Sequence, residues 1–413
     1  MSRPGLARRA AACSLALVAA LTITSCARDG VSTGTGVSSD EITLGVLGDE
    51  TGPFKNIGQG LVKGNELWAA DVNARGGVCG RQIKLEIGDA SYRAEIANSI
   101  YAAQERRVLG YLHILGSPVN GALAENMKED AVTALSLSWS SFILNNPFQI
   151  IPGATYDLEL INGLSYLQQQ GLIKNGDAVG HIYIGSDYGD NSLLGANHYA
   201  QIHNLQLQPV KIAATDVDMT GIVTTYRRDK VKAIILTTSP AQTGSAVLVN
   251  KSTGLNVPLL GNSPSFDPAL LNGPAAVGLN RLWLAGSSAT YSSDVPLAKE
   301  VARKFTEAFP QLPPTAGVPS GYAHGLIWEQ VLQRACDAKD MTRAGIQKAF
   351  RESSAVSTDS LIAPLDFSKP GTPATRAVYI TKPDAAEKGS LKQLAPLYTA
   401  PESQTYKAPH QLG

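Results

Sequence analysis

The stretch Glu41 to Arg81, EITLGVLGDETGPFKNIGQGLVKGNELWAADVNARGGVCGR, constrains the fold most. Ile42, Leu44, Val46 and Leu47 make a short apolar run, the pattern of a strand covered on both faces in a parallel sheet. Gly and Pro between Gly48 and Gly58 turn the backbone. Leu61, Gly64, Leu67, Trp68 and Val72 then recur at helical spacing, with Lys63, Glu66 and Asp71 among them. Gly76-Gly77 stops the helix, and Gln82–Ile87 reads as a second strand. Strand, loop, helix, strand is the opening of a doubly wound α/β sheet. Such sheets bind ligands at the carboxyl ends of their strands, where the first loop lies.

The alternation continues. Arg93–Glu105 reads as helix, Val108–Ile114 as strand, Asn120–Asp130 as helix and Val132–Leu137 as strand. The loops Gly48–Gly58, Leu115–Asn120 and Ser138–Phe142 therefore share one rim. A polar stretch from Asn145 to Asp157 fits a crossover to a second lobe. There Leu158–Gln169, Asn191–His203, Met219–Arg228 and Ala241–Thr253 read as helices. Ala178–Ile184, Val210–Ala213, Val231–Leu236 and Val257–Leu260 read as strands. Leu282–Ala285 reads as the return to the first lobe, with helices Val295–Phe309 and Ser320–Cys336 beyond it. Residues after about Ser357 cross again, with Ala377–Ile380 as a late strand. The expected division is 1–25 leader, 26–40 linker, 41–150 with 287–356 as lobe 1, 151–286 with 357–400 as lobe 2, and 401–413 as a loose tail.

With 413 residues, 44% of them hydrophobic and 17% charged, the chain is long enough for two globular lobes. Its 35 basic and 35 acidic residues balance, which leaves no basic field for nucleic acid. Arg3, Arg8 and Arg9 precede the apolar run Ala10–Ile23, which is short and cleanly flanked, as in a signal peptide. The run ends Ile23-Thr24-Ser25-Cys26, which resembles the bacterial lipobox and implies a lipid on Cys26. The Gly/Ser/Thr-rich residues 27–40 read as a flexible tether.

No nucleophile elbow, C-x-x-C, H-E-x-x-H or phosphate-binding glycine loop occurs. No cofactor or metal is expected. His198 and His203 are five apart on one expected helix, off the spacing of a metal pair. Cys13 leaves with the leader and Cys26 takes the lipid, so Cys79 and Cys336 remain. In an exported chain two remaining cysteines favour a bridge, against free buried thiols as the alternative.

Certain motifs carry a resemblance across most of the chain after the leader. They are G-x-x-T-G-P-F at 48–54, D-V-N-A-R-G-G-V-x-G-R at 71–81, Gly88-Asp89, and Gly185-Ser-Asp-Tyr-Gly189. The sequence resembles the branched-chain amino-acid-type solute-binding proteins of ABC importers. That resemblance implies the type I periplasmic binding fold: two doubly wound parallel-sheet lobes joined by three crossovers. It also places the late helix ending at Cys336 beside the first helix, which implies a Cys79–Cys336 disulfide. A monomeric, lipid-anchored receptor on the extracytoplasmic face is expected, with no enzymatic activity. It would close on a small polar or carboxylate-bearing molecule, an amino acid or an amino-acid-like or aromatic acid, and deliver it to permease subunits in the membrane. A sensory receptor and, below that, an exported hydrolase are the alternatives.

The resemblance also implies ligand-facing positions, each with a plainer reading. Thr51, Phe54 and Asn56 face the rim. Ser117 either holds a carboxylate at a helix start or only caps that helix. Trp139 stacks on a ligand or packs between lobes, and Ser140 and Ser141 follow it. Tyr188 closes over the ligand or packs under its loop. Thr238 and Ser239 bind or form a turn, and Asn262 and Ser263 are equally open. Tyr322 lies near the hinge or in the core. Amino-acid binders of the family place an acid where Ser263 stands, so an ammonium would lack its partner unless Glu50 or Asp187 replaces it.

Overall fold

The computed structural model describes residues 30–411. The leader, Cys13 and Cys26 lie outside the described residues. In chain order the elements are β1 (Ser32–Thr33), β2 (Glu41–Gly48), α1 (Lys55–Ala74), β3 (Gln82–Asp89), α2 (Ala94–Gln104), β4 (Gly110–Leu115), α3 (Ser117–Glu129), β5 (Ala134–Leu137) and β6 (Gln149–Ile150). Next come α4 (Tyr156–Gln169), β7 (Ala178–Ile184), α5 (Asp187–His203), β8 (Gln206–Ile212), α6 (Thr220–Arg228), β9 (Ala233–Thr237), α7 (Pro240–Ser252), β10 (Leu259–Asn262) and β11 (Leu282–Gly286). The chain finishes with α8 (Pro296–Ala308), α9 (Gly317–Asp337), β12 (Asp340–Met341), α10 (Arg343–Arg351), β13 (Tyr379–Pro383), β14 (Leu391–Gln393) and α11 (Pro401–Thr405).

Two sheets form the two lobes. The first is five-stranded and parallel, in the order β3-β2-β4-β5-β6. The second has the order β14-β13-β11-β10-β9-β7-β8, parallel except where β13 and β14 add antiparallel strands at one edge. The chain leaves the first sheet after β6, returns after β11, and crosses a third time between α10 and β13. β2 is buried along nearly its whole length, as its unbroken apolar run requires.

Helix α9 lies against α1 at a contact made of small residues. A Cβ on Gly64 would collide with the Val318 carbonyl, and one on Gly321 with the Leu61 carbonyl. The Asn65 amide donates to the Gly321 carbonyl at 2.8 Å. Cys79 and Cys336 form a disulfide at the far end of this helix pair, with Cα atoms 5.9 Å apart.

The structure corrects three expectations. Leu282–Ala285 does not itself return the chain: β11 pairs with β10 and β13 inside the second sheet, and the crossing follows it. Leu282 to Ala285 lie opposite Leu259 to Asn262, and Leu284 to Gly286 opposite Thr381 to Tyr379. The segment 27–40 is not wholly a free tether. β1 pairs with β12, and the Arg81 guanidinium donates to the Ser38 carbonyl at 2.7 Å. The described part of the tail, residues 401–411, is not loose either. α11 packs on α4, Tyr406 is buried, and its hydroxyl donates to Asp157 at 3.0 Å. Arg376 binds the Ser403 and Tyr406 carbonyls, and Glu402 takes His203 Nε2 at 2.7 Å. The polar composition of the tail hid these partners, which come from distant sequence.

Candidate ligand site between the lobes

The first loop is built around Asp49, which is fully buried. Its carboxylate accepts the N–H groups of Gly52 at 2.6 Å and Phe54 at 2.9 Å, and so fixes the turn that launches α1. Thr51 donates to Asp89 at 2.6 Å. Asp89 also accepts from the Glu50 and Ser91 N–H groups. Partial burial raises its pKa, but these hydrogen bonds together hold it below the ordinary value. The loop beyond it is strained: Ser91 and Tyr92 have φ of 49° and 60°. That strained loop carries the Tyr92 ring to the cleft.

A cavity of about 60 Å³ lies where the two strand-end rims face each other. The first lobe contributes Phe54, Ile57, Leu61, Tyr92, Leu115, Gly116, Leu137, Trp139 and Ser320. The second contributes Tyr156, Tyr188, Ser263 and Pro264. Aromatic rings form a collar. Phe54 and Tyr92 are 4.8 Å apart, Tyr156 and Tyr188 are also 4.8 Å apart, and Trp139 is 6.1 Å from Tyr156. The Tyr188 hydroxyl is occupied: it donates to Asn262 at 2.8 Å and lies 3.2 Å from Ser265. Its ring is what the cavity meets. Burial pushes the phenols of Tyr92, Tyr156 and Tyr188 up, so all three are neutral.

A second chamber, also about 60 Å³, adjoins the first; Ile57, Trp139, Ser263 and Ser320 wall both. It runs along the carboxyl end of β11 and includes Phe266, Asp267, Leu284, Ser288, Thr290 and Tyr379. Asn56 on α1 donates to Asp267 at 2.8 Å, a hydrogen bond from one lobe to the other. Among the described residues no lysine, arginine or histidine walls either chamber.

Of the residues read from the sequence, Phe54, Trp139, Tyr188 and Ser263 meet at the cavity. The others serve the scaffold. Thr51 braces the first loop. Ser117 is not a cap: Gly116, with φ 103°, takes that place, and the Ser117 hydroxyl accepts from Ser138 at 2.9 Å. Ser140 is buried and accepts from the Phe142 N–H. Thr238 pairs with Thr243 at 2.7 Å. Ser239 starts α7, its N–H donating to Gln242 at 2.9 Å. Tyr322 is buried and donates to Asp71 at 2.6 Å. Glu50 and Asp187 wall neither chamber. Tyr92 and Tyr156 were missed, although the rim rule could have found Tyr92 just past the second strand.

Two buried acids lie behind the site. Asp157 accepts from Ser141 at 2.8 Å, Asn191 at 3.1 Å and Tyr406 at 3.0 Å. Glu159 receives Ser287 at 3.4 Å, and its second oxygen has no partner. Burial raises the pKa of both, that of Glu159 far above the carboxylate range. Ser287 also takes the Ala154 N–H at 3.1 Å, tying the second crossing to the first.

Comparison with known proteins agrees with this architecture. No curated protein matches the sequence. The family model described as periplasmic binding protein matches residues 41–389. The chain is similar to a solved fatty acid ABC transporter substrate-binding protein from Thermomonospora curvata, at 33% identity and TM-score 0.89, covering 93% of this chain and 99% of that one. A branched chain amino acid ABC transporter protein from Thermus thermophilus with bound valine shares the fold at 16% identity and TM-score 0.78, covering 89% and 99%. A leucine binding protein from Thermotoga maritima does so at 16% and 0.74, covering 86% and 98%. On its two crossed-over sheets and this match, the chain belongs to the periplasmic binding protein family, with the type I fold.

Proposed function

We propose that this chain is the lipid-anchored, extracytoplasmic receptor of an ABC importer, and that its ligand is an acid with an extended apolar body and no α-ammonium group. One observation carries the ligand class. The cavity between the lobes is walled by rings and aliphatic side chains, with Ser263 where an ammonium partner would be needed. Burying an ammonium there without a counter-charge is costly. The apolar wall suits a hydrocarbon or a flat ring. The similarity at 33% identity to a protein described as a fatty acid ABC transporter substrate-binding protein supports the same class.

The proposed contacts are Phe54, Trp139, Tyr188 and Ser263, joined by Tyr92 and Tyr156. Capture is by hinge closure between lobe 1 (41–150 with 287–356) and lobe 2 (151–286 with 357–411), followed by release to permease subunits. The receptor acts as a monomer with Cys26 lipidated. Titration calorimetry of decanoate, leucine and the deaminated keto acid of leucine tests the ligand class. Decanoate is expected to bind and leucine to bind weakly or not at all. Micromolar leucine binding would overturn it.

A further inference from the structure

The two chambers differ in what their walls ask of a ligand. The first is nearly all ring and aliphatic surface. The second is walled by Ser288 and Thr290 on the segment just past β11, and both hydroxyls are buried without a partner in the protein. Thr290 is only 2% exposed. Trp139, which walls both chambers, has a buried Nε1–H that is equally unpartnered. An indole N–H can only donate, and a hydroxyl can donate. Leaving three such donors buried and unmatched is costly, so each calls for an explanation. The carboxylate in this wall, Asp267, is already engaged by the Asn56 amide and the Ala269 N–H. It also borders the neighbouring surface groove, which places it at the outer end.

We propose that the two chambers form one divided site, in which the ligand's hydrocarbon lies in the first and its acyl oxygen end lies in the second, received by Trp139 Nε1–H, Ser288 and Thr290. This rests on the ligand class proposed above. It adds the ligand's direction and the residues that read its head. The group recognised is an acyl oxygen, which a free acid and an amide share. Because Ser288 and Thr290 follow directly on the second crossing, head binding touches the hinge itself.

The test is calorimetry on the purified protein, stripped of bound lipid, with decanoate, decanamide and decyltrimethylammonium, which share a tail. Decanoate is expected to bind, and decyltrimethylammonium, lacking an acceptor, to bind at least tenfold more weakly. Tighter decanamide than decanoate binding would identify the natural head as uncharged. The double variant Ser288→Ala, Thr290→Val should weaken decanoate about tenfold and leave decyltrimethylammonium unchanged. A wild type that binds none of the three sinks the ligand class. A wild type that binds decanoate, with a variant that binds it equally well, sinks only the chamber assignment. The Trp139 indole N–H resonance of the wild-type protein should shift on adding decanoate and not on adding decyltrimethylammonium, a reading that stands even if the variant fails to fold. Equal shifts with both would overturn the proposal.

Discussion

Asn56, in the first turn of α1, donates its amide to the Asp267 carboxylate at 2.8 Å, and so links the first lobe to the second at the mouth of the site. The bond exists only while the rims face each other. Ligand binding draws on any free energy that favours this form. Asn56→Ala should therefore weaken binding of the ligand, decanoate in the first instance, by about threefold to tenfold. Small-angle scattering on the free variant should show a larger radius of gyration than wild type. Unchanged affinity and an unchanged radius would show that this bond does not bias closure.

The Cys79–Cys336 disulfide closes a separation of 257 residues inside lobe 1. Its removal by Cys79→Ser with Cys336→Ser should cost about 2–5 kcal/mol of unfolding free energy. Denaturant unfolding of the two forms, with thiol counting on the denatured, unreduced protein, checks this. Two titratable thiols in addition to any at Cys26 would refute the bridge.

Three buried histidines set an acid limit. Burial holds His113 and His181 down at about 3, and His324 well below its ordinary value. The folded state keeps these rings neutral, while the unfolded chain protonates them below about 6.5. The histidines' contribution to stability is full above that pH. It should fall by up to about 1.4 kcal/mol per histidine per pH unit as pH drops from 6.5 toward 3. His181→Gln should flatten the fall in melting temperature over that window. An identical slope in the variant would show that His181 titrates normally.

Glu159 sets a limit on the alkaline side. Its raised pKa means that the folded state holds it protonated where the unfolded chain would ionise it. Its contribution is full below the ordinary glutamate value and is lost as pH rises through the folded pKa. Glu159→Gln should leave the protein folded and make its melting temperature less dependent on pH between 5 and 9. A steeper dependence in the variant would contradict the neutral assignment. Asp157, raised in the same direction, should preserve part of the slope.

Much of the fold was legible because local pattern and tertiary role agree. β2 is apolar throughout because both its faces are covered, and Gly76-Gly77 ends α1 because both residues hold positive φ. The edge strands β12 and β14 and helix α10 were not legible: two or three residues of strand carry no period, and α10 follows α9 with little punctuation. At the site, Phe54, Trp139 and Tyr188 could be read from rim loops. The serines and threonines were harder. Thr238, Ser239 and Ser117 sit at loop positions like that of Ser263, yet their hydroxyls are spent on neighbours that only folding brings close. Ser288 and Thr290 are the reverse case, hydroxyls in an unremarkable loop that folding leaves without partners.

The parallel pairing of Ser32–Thr33 with Asp340–Met341 has a mechanical consequence. The chain enters the fold through the lobe that holds α1, α9 and the disulfide. Any pull from residues before Gly30 is therefore carried into that lobe and must peel β1 from β12 before it reaches the core. Under the proposed anchoring, lobe 1 would therefore be the stationary frame, and lobe 2, connected through the three crossings, the part left to move.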